Sequence, residues 1–152
     1  MNTLVKKNKV LTAEKTKILL SGIVYYSLAL ILLFTGITKI IDPLPLISTL
    51  KLLPIINEQA AIFTATLLPV IEIGLAILML LKIKTKVILT AVTVLFGAFF
   101  LFSIYGTLAG IDNDCGCFGD IIKSEFGVGM IVRNAVFLFC SIILLRNELN
   151  NN

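Results

Sequence analysis

The sequence predicts an all-α integral membrane protein, a bundle of four transmembrane helices with both termini in the cytoplasm. Hydrophobic residues make up 58% of the 152-residue chain and charged residues only 14%, and the mean hydropathy is +1.03. This composition is far from that of a soluble domain. The apolar residues are collected in long runs, and short basic clusters flank these runs, as they flank membrane helices. The net charge of +4 therefore indicates contact with a lipid bilayer rather than with nucleic acid.

Four apolar runs are long enough to cross a hydrocarbon core of roughly 30 Å, which takes about 20 helical residues. They extend over residues 18–41, about 60–81, 87 to about 109 and about 127–145. Because lipid offers no hydrogen-bond partners, the backbone of each run must satisfy itself as a helix. The first run is longer than the apolar stretch of a cleaved signal peptide, about 7–15 residues, so we expect an uncleaved anchor. The predicted organisation is a basic tail, a four-helix domain and a short tail, residues 1–17, 18–145 and 146–152.

The basic residues are distributed unevenly over the segments between the runs, and this bias predicts the orientation. One side carries Lys6, Lys7, Lys9, Lys15 and Lys17 before the first run, Lys82, Lys84 and Lys86 between the second and third, and Arg146 after the fourth. We expect this side to be cytoplasmic. The connection over residues 110–126 carries four acidic residues and a single lysine. It is therefore predicted to face outward, to the periplasm or the cell exterior.

Two cysteines lie one residue apart in the outward connection, in the stretch Asp114–Gly119. Cys115 and Cys117 can join only if the backbone turns tightly, and Gly116 and Gly119 supply the permissive dihedral angles. A disulfide in so small a ring is strained, which raises its reduction potential and suits a redox-active pair. The outward compartment also permits disulfides. These arguments favour a redox pair over a structural bridge that pins the loop.

A metal site at the cysteines is the least favoured alternative. A soft ion such as Cu(I) accepts thiolates, but the chain has no histidine and the third cysteine, Cys140, lies deep in the fourth run. We expect Cys140 to be a small packing residue. We therefore predict no metal ligands. The acidic neighbours Asp114 and Asp120 disfavour a thiolate, so a cation is expected to assist, with Lys39, Lys123 and Arg133 as candidates.

Three charged residues fall within or at the ends of the apolar runs: Lys39, Glu72 and Arg133. Glu72 lies near the middle of the second run, where an ionised carboxylate costs several kcal/mol unless it is paired or faces a cavity. One hypothesis is a buried Glu72–Arg133 ion pair that fixes how the second and fourth helices pack. The other is a proton or quinone site below the cysteine loop, with Glu72 as proton acceptor. Lys39 is expected at the outward end of the first helix, within reach of an outward-facing polar pocket.

Small and aromatic residues in the runs have structural interpretations. Gly36 and Gly97 mark positions at which helices can approach closely. The third run carries Phe96, Phe99, Phe100, Phe102 and Tyr105. These rings could flank a quinone, but lipid contact and core packing explain them more simply.

The chain resembles the MauE family of methylamine utilisation membrane proteins, within the wider DoxX-like group. The resemblance extends from about Tyr26 to Leu145. It is carried by Phe34–Pro43 at the end of the first run, Glu72, the cysteine stretch Asp114–Gly119, and Arg133 with Asn134. It implies a four-helix protein of the bacterial cytoplasmic membrane. In methylamine-oxidising bacteria such proteins are needed to produce mature methylamine dehydrogenase, whose small subunit is exported and rich in disulfides.

The chain is also similar to the vitamin K epoxide reductases and the disulfide-bond-forming membrane proteins, which pass electrons from thiols to quinone. Those proteins use a Cys-x-x-Cys pair and usually a second pair, whereas this chain has Cys-Gly-Cys and no second pair. The leading hypothesis is thus a thiol-disulfide oxidoreductase that supports oxidation or maturation of an exported partner, with a membrane quinone as candidate cofactor. The alternative is a non-enzymatic assembly factor or small-solute transporter with a structural cysteine loop.

Overall fold

The computed structural model describes residues 2–52, 56–110 and 127–150, with the backbone alone for residues 2–15 and 17. Five helices follow one another: α1 (Asn2–Ile41), α2 (Leu44–Lys51), α3 (Glu58–Leu80), α4 (Thr85–Leu108) and α5 (Val128–Asn150). No strand occurs in these ranges. The helices long and apolar enough to cross a membrane are Ile18–Ile41, Glu58–Leu80, Thr85–Leu108 and Val128–Asn150. The predicted all-α fold class and the four spans are confirmed, and the spanning helices contact the lipid bilayer. The orientation of the termini stays a prediction.

The first helix is longer than its apolar run. It begins at Asn2 and passes through the basic segment before the span, because no glycine or proline interrupts the chain before Gly22. The last helix likewise continues beyond Arg146 to Asn150. Both helices therefore extend beyond the predicted apolar runs into the lysine- and arginine-bearing segments.

The short helix α2 was not among the predicted elements. Asp42 Oδ1 accepts a hydrogen bond of 3.2 Å from the backbone N–H of Leu44, and a proline in the first turn fits a helix start. Leu46 and Leu50 pack against Ala61 and Ala65 of α3. The connection between the first two spans thus contains a helix that lies against the first half of α3.

The spans pack as two antiparallel pairs, α1 with α3 and α4 with α5, and the contacts between the pairs are fewer. The approach of α1 to α3 is closest at Gly36. A Cβ at this position would lie 2.6 Å from Ile73 Cγ1 and 3.1 Å from the Pro69 carbonyl oxygen. The close approach predicted at Gly36 is confirmed. At Gly97 a Cβ would meet only Leu138 Cδ1, at 3.9 Å, which is an ordinary contact.

The link from α3 to α4 is a tight turn built from lysines. The N–H groups of Ile83 and Lys82 donate to the carbonyls of Leu78 and Met79, at 3.2 and 3.0 Å, which is the Schellman pattern of a helix C-terminus. Lys82 has a φ of 53° and Lys84 a φ of 43°, in the left-handed region that costs a side-chain-bearing residue roughly 1–2 kcal/mol. We call the end of the bundle that holds Ile18, this link and Glu148 the lysine end, and the opposite end the loop end.

Candidate functional site

A buried ion pair joins α1 to α3 inside the bundle. Lys39 Nζ lies 2.6 Å from Glu72 Oε1, and the two side chains are 2% and 0% exposed. Lys39 is near the end of α1, yet Glu72 is fourteen residues into α3, about 21 Å along the helix axis at 1.5 Å per residue. Because α2 and the first turns of α3 lie beyond Lys39, the end of the first span is not the surface of the bundle.

This geometry corrects two expectations. Glu72 bonds Lys39, so the proposed Glu72–Arg133 ion pair is wrong. Lys39 is enclosed rather than exposed at an outward-facing pocket. The physical reason is helix register: Gly36 and Lys39 lie three residues apart on one face of α1, and the close contact at Gly36 sets that face against Glu72.

The second helix pair completes the surroundings of Lys39. Its Nζ lies 4.9 Å from the centroid of the Phe99 ring in α4, within the range of a cation–π contact. Asn134 of α5 donates from Nδ2 to the Phe99 carbonyl oxygen at 3.4 Å, which holds α4 and α5 at the same level. We call Lys39, Glu72, Phe99, Arg133 and Asn134 the polar centre.

A small cavity lies within the polar centre. Its volume is about 20 Å³, and it is lined by Ile31, Thr35, Lys39, Phe96, Phe99, Arg133, Asn134 and Phe137. This volume accommodates about one water molecule, whereas small-molecule sites are typically about 300–1,000 Å³. The cavity can hold a bridging water between polar side chains. It does not hold a quinone ring.

The charged side chains of the polar centre have different surroundings. Glu72 Oε1 is engaged by Lys39, and Oε2 is buried with no hydrogen-bond donor in the described part of the chain. Arg133 is half-buried and lines the cavity from α5. The structure therefore brings Lys39 and Arg133 to one cavity. Glu72 contacts Lys39 but does not line the cavity. Chemically, this arrangement can fix a cation and position a water molecule inside the membrane.

Thr35 is a cavity residue that the sequence analysis missed. It is buried and lies four residues before Lys39, hence on the same face of α1. That spacing is the signal that could have found it. The aromatic run of α4 was expected to be lipid-facing or core filler, and Phe96 is indeed buried in the core, but Phe99 also lies beneath the lysine charge.

The predicted cysteine site lies outside the described residues. Cys115, Cys117, Gly116 and Gly119 all fall within residues 111–126. Their place is given by the chain alone, between the end of α4 and the start of α5. Cys140 is a free thiol in α5 that packs against the hydrophobic core, as expected. In the described ranges, no three side chains of the metal-ligating kinds come together.

The family comparison gives one match. The family described as "Methylamine utilisation protein MauE" matches residues 17–146. This stretch extends from just before the first span almost to the end of the fourth, and it includes the polar centre and the cysteine stretch. Comparisons with curated proteins and with solved structures gave no match. The chain is a multi-pass membrane protein and belongs to the MauE family.

Proposed function

We propose that this protein carries out thiol-disulfide exchange with an exported partner protein, using the pair Cys115 and Cys117. One observation supports it most. The loop that bears both cysteines joins α4 to α5, and these helices bring Phe99, Arg133 and Asn134 to the cavity beside Lys39. The family description points to methylamine utilisation, and a redox-active cysteine pair fits a partner that carries thiols or a disulfide.

The exchange balances without a further reactant. A thiolate of the partner attacks one sulfur of the Cys115–Cys117 disulfide and forms a mixed disulfide. A second thiolate of the partner then attacks the partner's sulfur atom in the mixed disulfide. The partner leaves with a disulfide, and Cys115 and Cys117 become a dithiol that has taken up two electrons and two protons. A partner with a more oxidising disulfide runs the same steps in reverse.

Arg133 is the cation that we assign to the support of the cysteine thiolates. It lies five residues after the start of α5 and is thus the charged member of the polar centre nearest to the cysteine loop along the chain. A neighbouring cation lowers the cost of a thiolate and opposes the acidic residues of the loop. Lys39 forms an ion pair with Glu72, so we assign it the role of holding the two helix pairs together.

The quinone link receives less support than the exchange itself. The cavity of the polar centre, about 20 Å³, is far smaller than a quinone ring, so we assign no quinone site there. Glu72 Oε1 likewise accepts a hydrogen bond from Lys39, so we assign Glu72 no role in proton transfer. The exchange steps above need neither.

A second candidate function is a non-enzymatic assembly factor or small-solute transporter in which the cysteines form a rigid lid. The observation that favours it is the full enclosure of Lys39 against Glu72, the geometry of an ion pair that specifies packing. In that case the cysteine pair keeps one oxidation state throughout the working life of the protein.

Thiol trapping in membranes separates the two candidates. Membranes are equilibrated in a series of glutathione redox buffers, denatured and treated with a mass-tagging maleimide. The chain has three cysteines, so the wild type is expected to shift from three tags to one as the buffer becomes oxidising. The matched control Cys140→Ser shifts from two tags to none, and the double variant Cys115→Ser with Cys117→Ser keeps one tag. A wild-type count that stays constant across the series contradicts the exchange function and favours the rigid lid.

A further inference from the structure

A second and larger cavity lies at the lysine end of the bundle. Its volume is about 380 Å³, within the range of about 300–1,000 Å³ that small-molecule sites occupy. Residues from four segments form it: the start of the first span, the α3–α4 link, the first turns of α4 and the end of α5. The lining residues that matter here are Ile18, Tyr26, Lys82, Thr85, Asn147 and Glu148.

The lining of this cavity includes both apolar and polar side chains. Leu89 and Leu144 are buried apolar members of the lining, at 2% and 5% exposure. Lys82, Thr85, Asn147 and Glu148 form the polar side. The two charges have opposite sign, so the described lining is electrically balanced while offering one cationic and one anionic group.

Lys82 is held in place by the fold. The Schellman turn fixes its backbone, and its Nζ lies 5.6 Å from the centroid of the Tyr26 ring. Tyr25 supports the same turn, because its hydroxyl donates to the Met79 carbonyl at 2.8 Å. The left-handed φ of 53° at Lys82 belongs to this Schellman turn.

We propose that this cavity binds the headgroup of phosphatidylethanolamine, a phospholipid with a phosphate and a primary ammonium. The phosphate accepts hydrogen bonds from Lys82 and Thr85, and the ammonium donates to Glu148 and to the side-chain carbonyl of Asn147. An anionic lipid without an ammonium leaves the carboxylate of Glu148 beside a second negative charge. A choline headgroup cannot donate hydrogen bonds to that carboxylate.

The position of the cavity favours a lipid over a soluble ligand. It lies where the spans end, at the level of the headgroups. Ile18 lines it and is 71% exposed, so the cavity opens on the apolar outer surface of α1. An acyl chain can therefore leave the site along that surface, while the headgroup stays between Lys82 and Glu148.

The test measures the thermal unfolding midpoint of the purified full chain in detergent micelles. Phosphatidylethanolamine, phosphatidylcholine and phosphatidylglycerol with the same acyl chains are added separately. At about a hundredfold excess over its Kd, phosphatidylethanolamine is expected to raise the midpoint by about 5–10 °C, and the other two lipids by clearly less. Glycerophosphoethanolamine, the headgroup without acyl chains, is expected to have a weak effect at the same concentration.

Three variants locate the site. Lys82→Asn and Glu148→Gln are expected to abolish the preference for phosphatidylethanolamine. Lys84→Asn is the matched control: Lys84 is also a lysine with a left-handed φ, and it does not line the cavity. Equal stabilisation by all three lipids, equal loss in Lys82→Asn and Lys84→Asn, or full stabilisation by glycerophosphoethanolamine each overturns the proposal. If Lys82→Asn does not fold, Glu148→Gln alone decides it.

Discussion

The ion pair between Lys39 and Glu72 is the most consequential pair of residues in the described bundle. Each charge alone would cost several kcal/mol in the low-dielectric interior. Their contact at 2.6 Å offsets that cost, and the Phe99 ring supplies a further attraction for the cation. The pair also connects all the spans, because Lys39 touches both α3 and α4 and shares its cavity with α5.

Removal of one partner is therefore expected to destabilise the protein strongly. Glu72→Ala leaves the buried cation of Lys39 unpaired, and the loss of one partner of a buried pair typically costs about 3–5 kcal/mol. Denaturant unfolding of the purified protein measures the change. Glu58→Ala is the matched control, since it breaks the exposed Lys51–Glu58 pair, and we expect little change there. Equal effects of the two substitutions would show that burial of the pair is unimportant.

The charge-swapped variant, Lys39→Glu with Glu72→Lys, separates a packing role from a chemical one. A pair that only specifies packing is expected to tolerate the swap, because each buried charge still faces one of opposite sign. If the swapped protein folds and retains cysteine exchange, Glu72 has no part in proton transfer. If it folds but the exchange stops, the packing role alone is insufficient.

At the level of elements, the sequence predicted the four spans but not the helix in the connection between the first two. The four spans follow from length and hydropathy, which the bilayer imposes directly on each helix. Helix α2 has only eight residues and begins between Pro43 and Pro45, so it carries neither of these signals. Its stability comes from packing of Leu46 and Leu50 on α3, which is a tertiary contact.

Helix register could likewise not be predicted from the hydropathy pattern. The pattern indicates that Glu72 needs a partner, but it does not indicate whether Lys39 or Arg133 faces it. The choice is made by the close contact at Gly36, because it brings Lys39 rather than Arg133 to Glu72. A glycine three residues before a lysine is the sequence signal for this arrangement, and it becomes specific only when the facing helix is known.

Gly36→Ala is expected to loosen the α1–α3 pair. The added methyl would lie 2.6 Å from Ile73 Cγ1 and 3.1 Å from a backbone oxygen, and isoleucine is stiff at χ1 in a helix. Overpacking of this kind typically costs about 1–3 kcal/mol, measured as a lower unfolding midpoint. The control is Gly74→Ala in α3, where a Cβ meets nothing within 4 Å. Alanine there is expected to be neutral or stabilising by up to about 1 kcal/mol. A loss at Gly74 as large as at Gly36 would contradict the explanation.

The described part of the molecule consists of two helix pairs around one polar centre. The α3–α4 link is at the lysine end, and α4 crosses the bundle once before the chain enters residues 111–126. A single crossing places the link and the cysteine loop on opposite sides of the membrane, whichever way the protein is inserted. The lysine bias then predicts that the loop with Cys115 and Cys117 faces outward.

Labelling of intact cells with a membrane-impermeant maleimide tests this orientation. In a Cys140→Ser background, Cys115 and Cys117 are expected to react after mild reduction without permeabilisation, because the positive-inside bias directs the lysine end to the cytoplasm. The companion variant replaces all three native cysteines by serine and carries Ile83→Cys in the exposed α3–α4 link; it should react only after the membrane is permeabilised. The reverse pattern would place the cysteine pair in the reducing cytosol, where a disulfide does not persist, and would remove the basis of the exchange function. Reaction of both variants in intact cells would contradict the single crossing of α4.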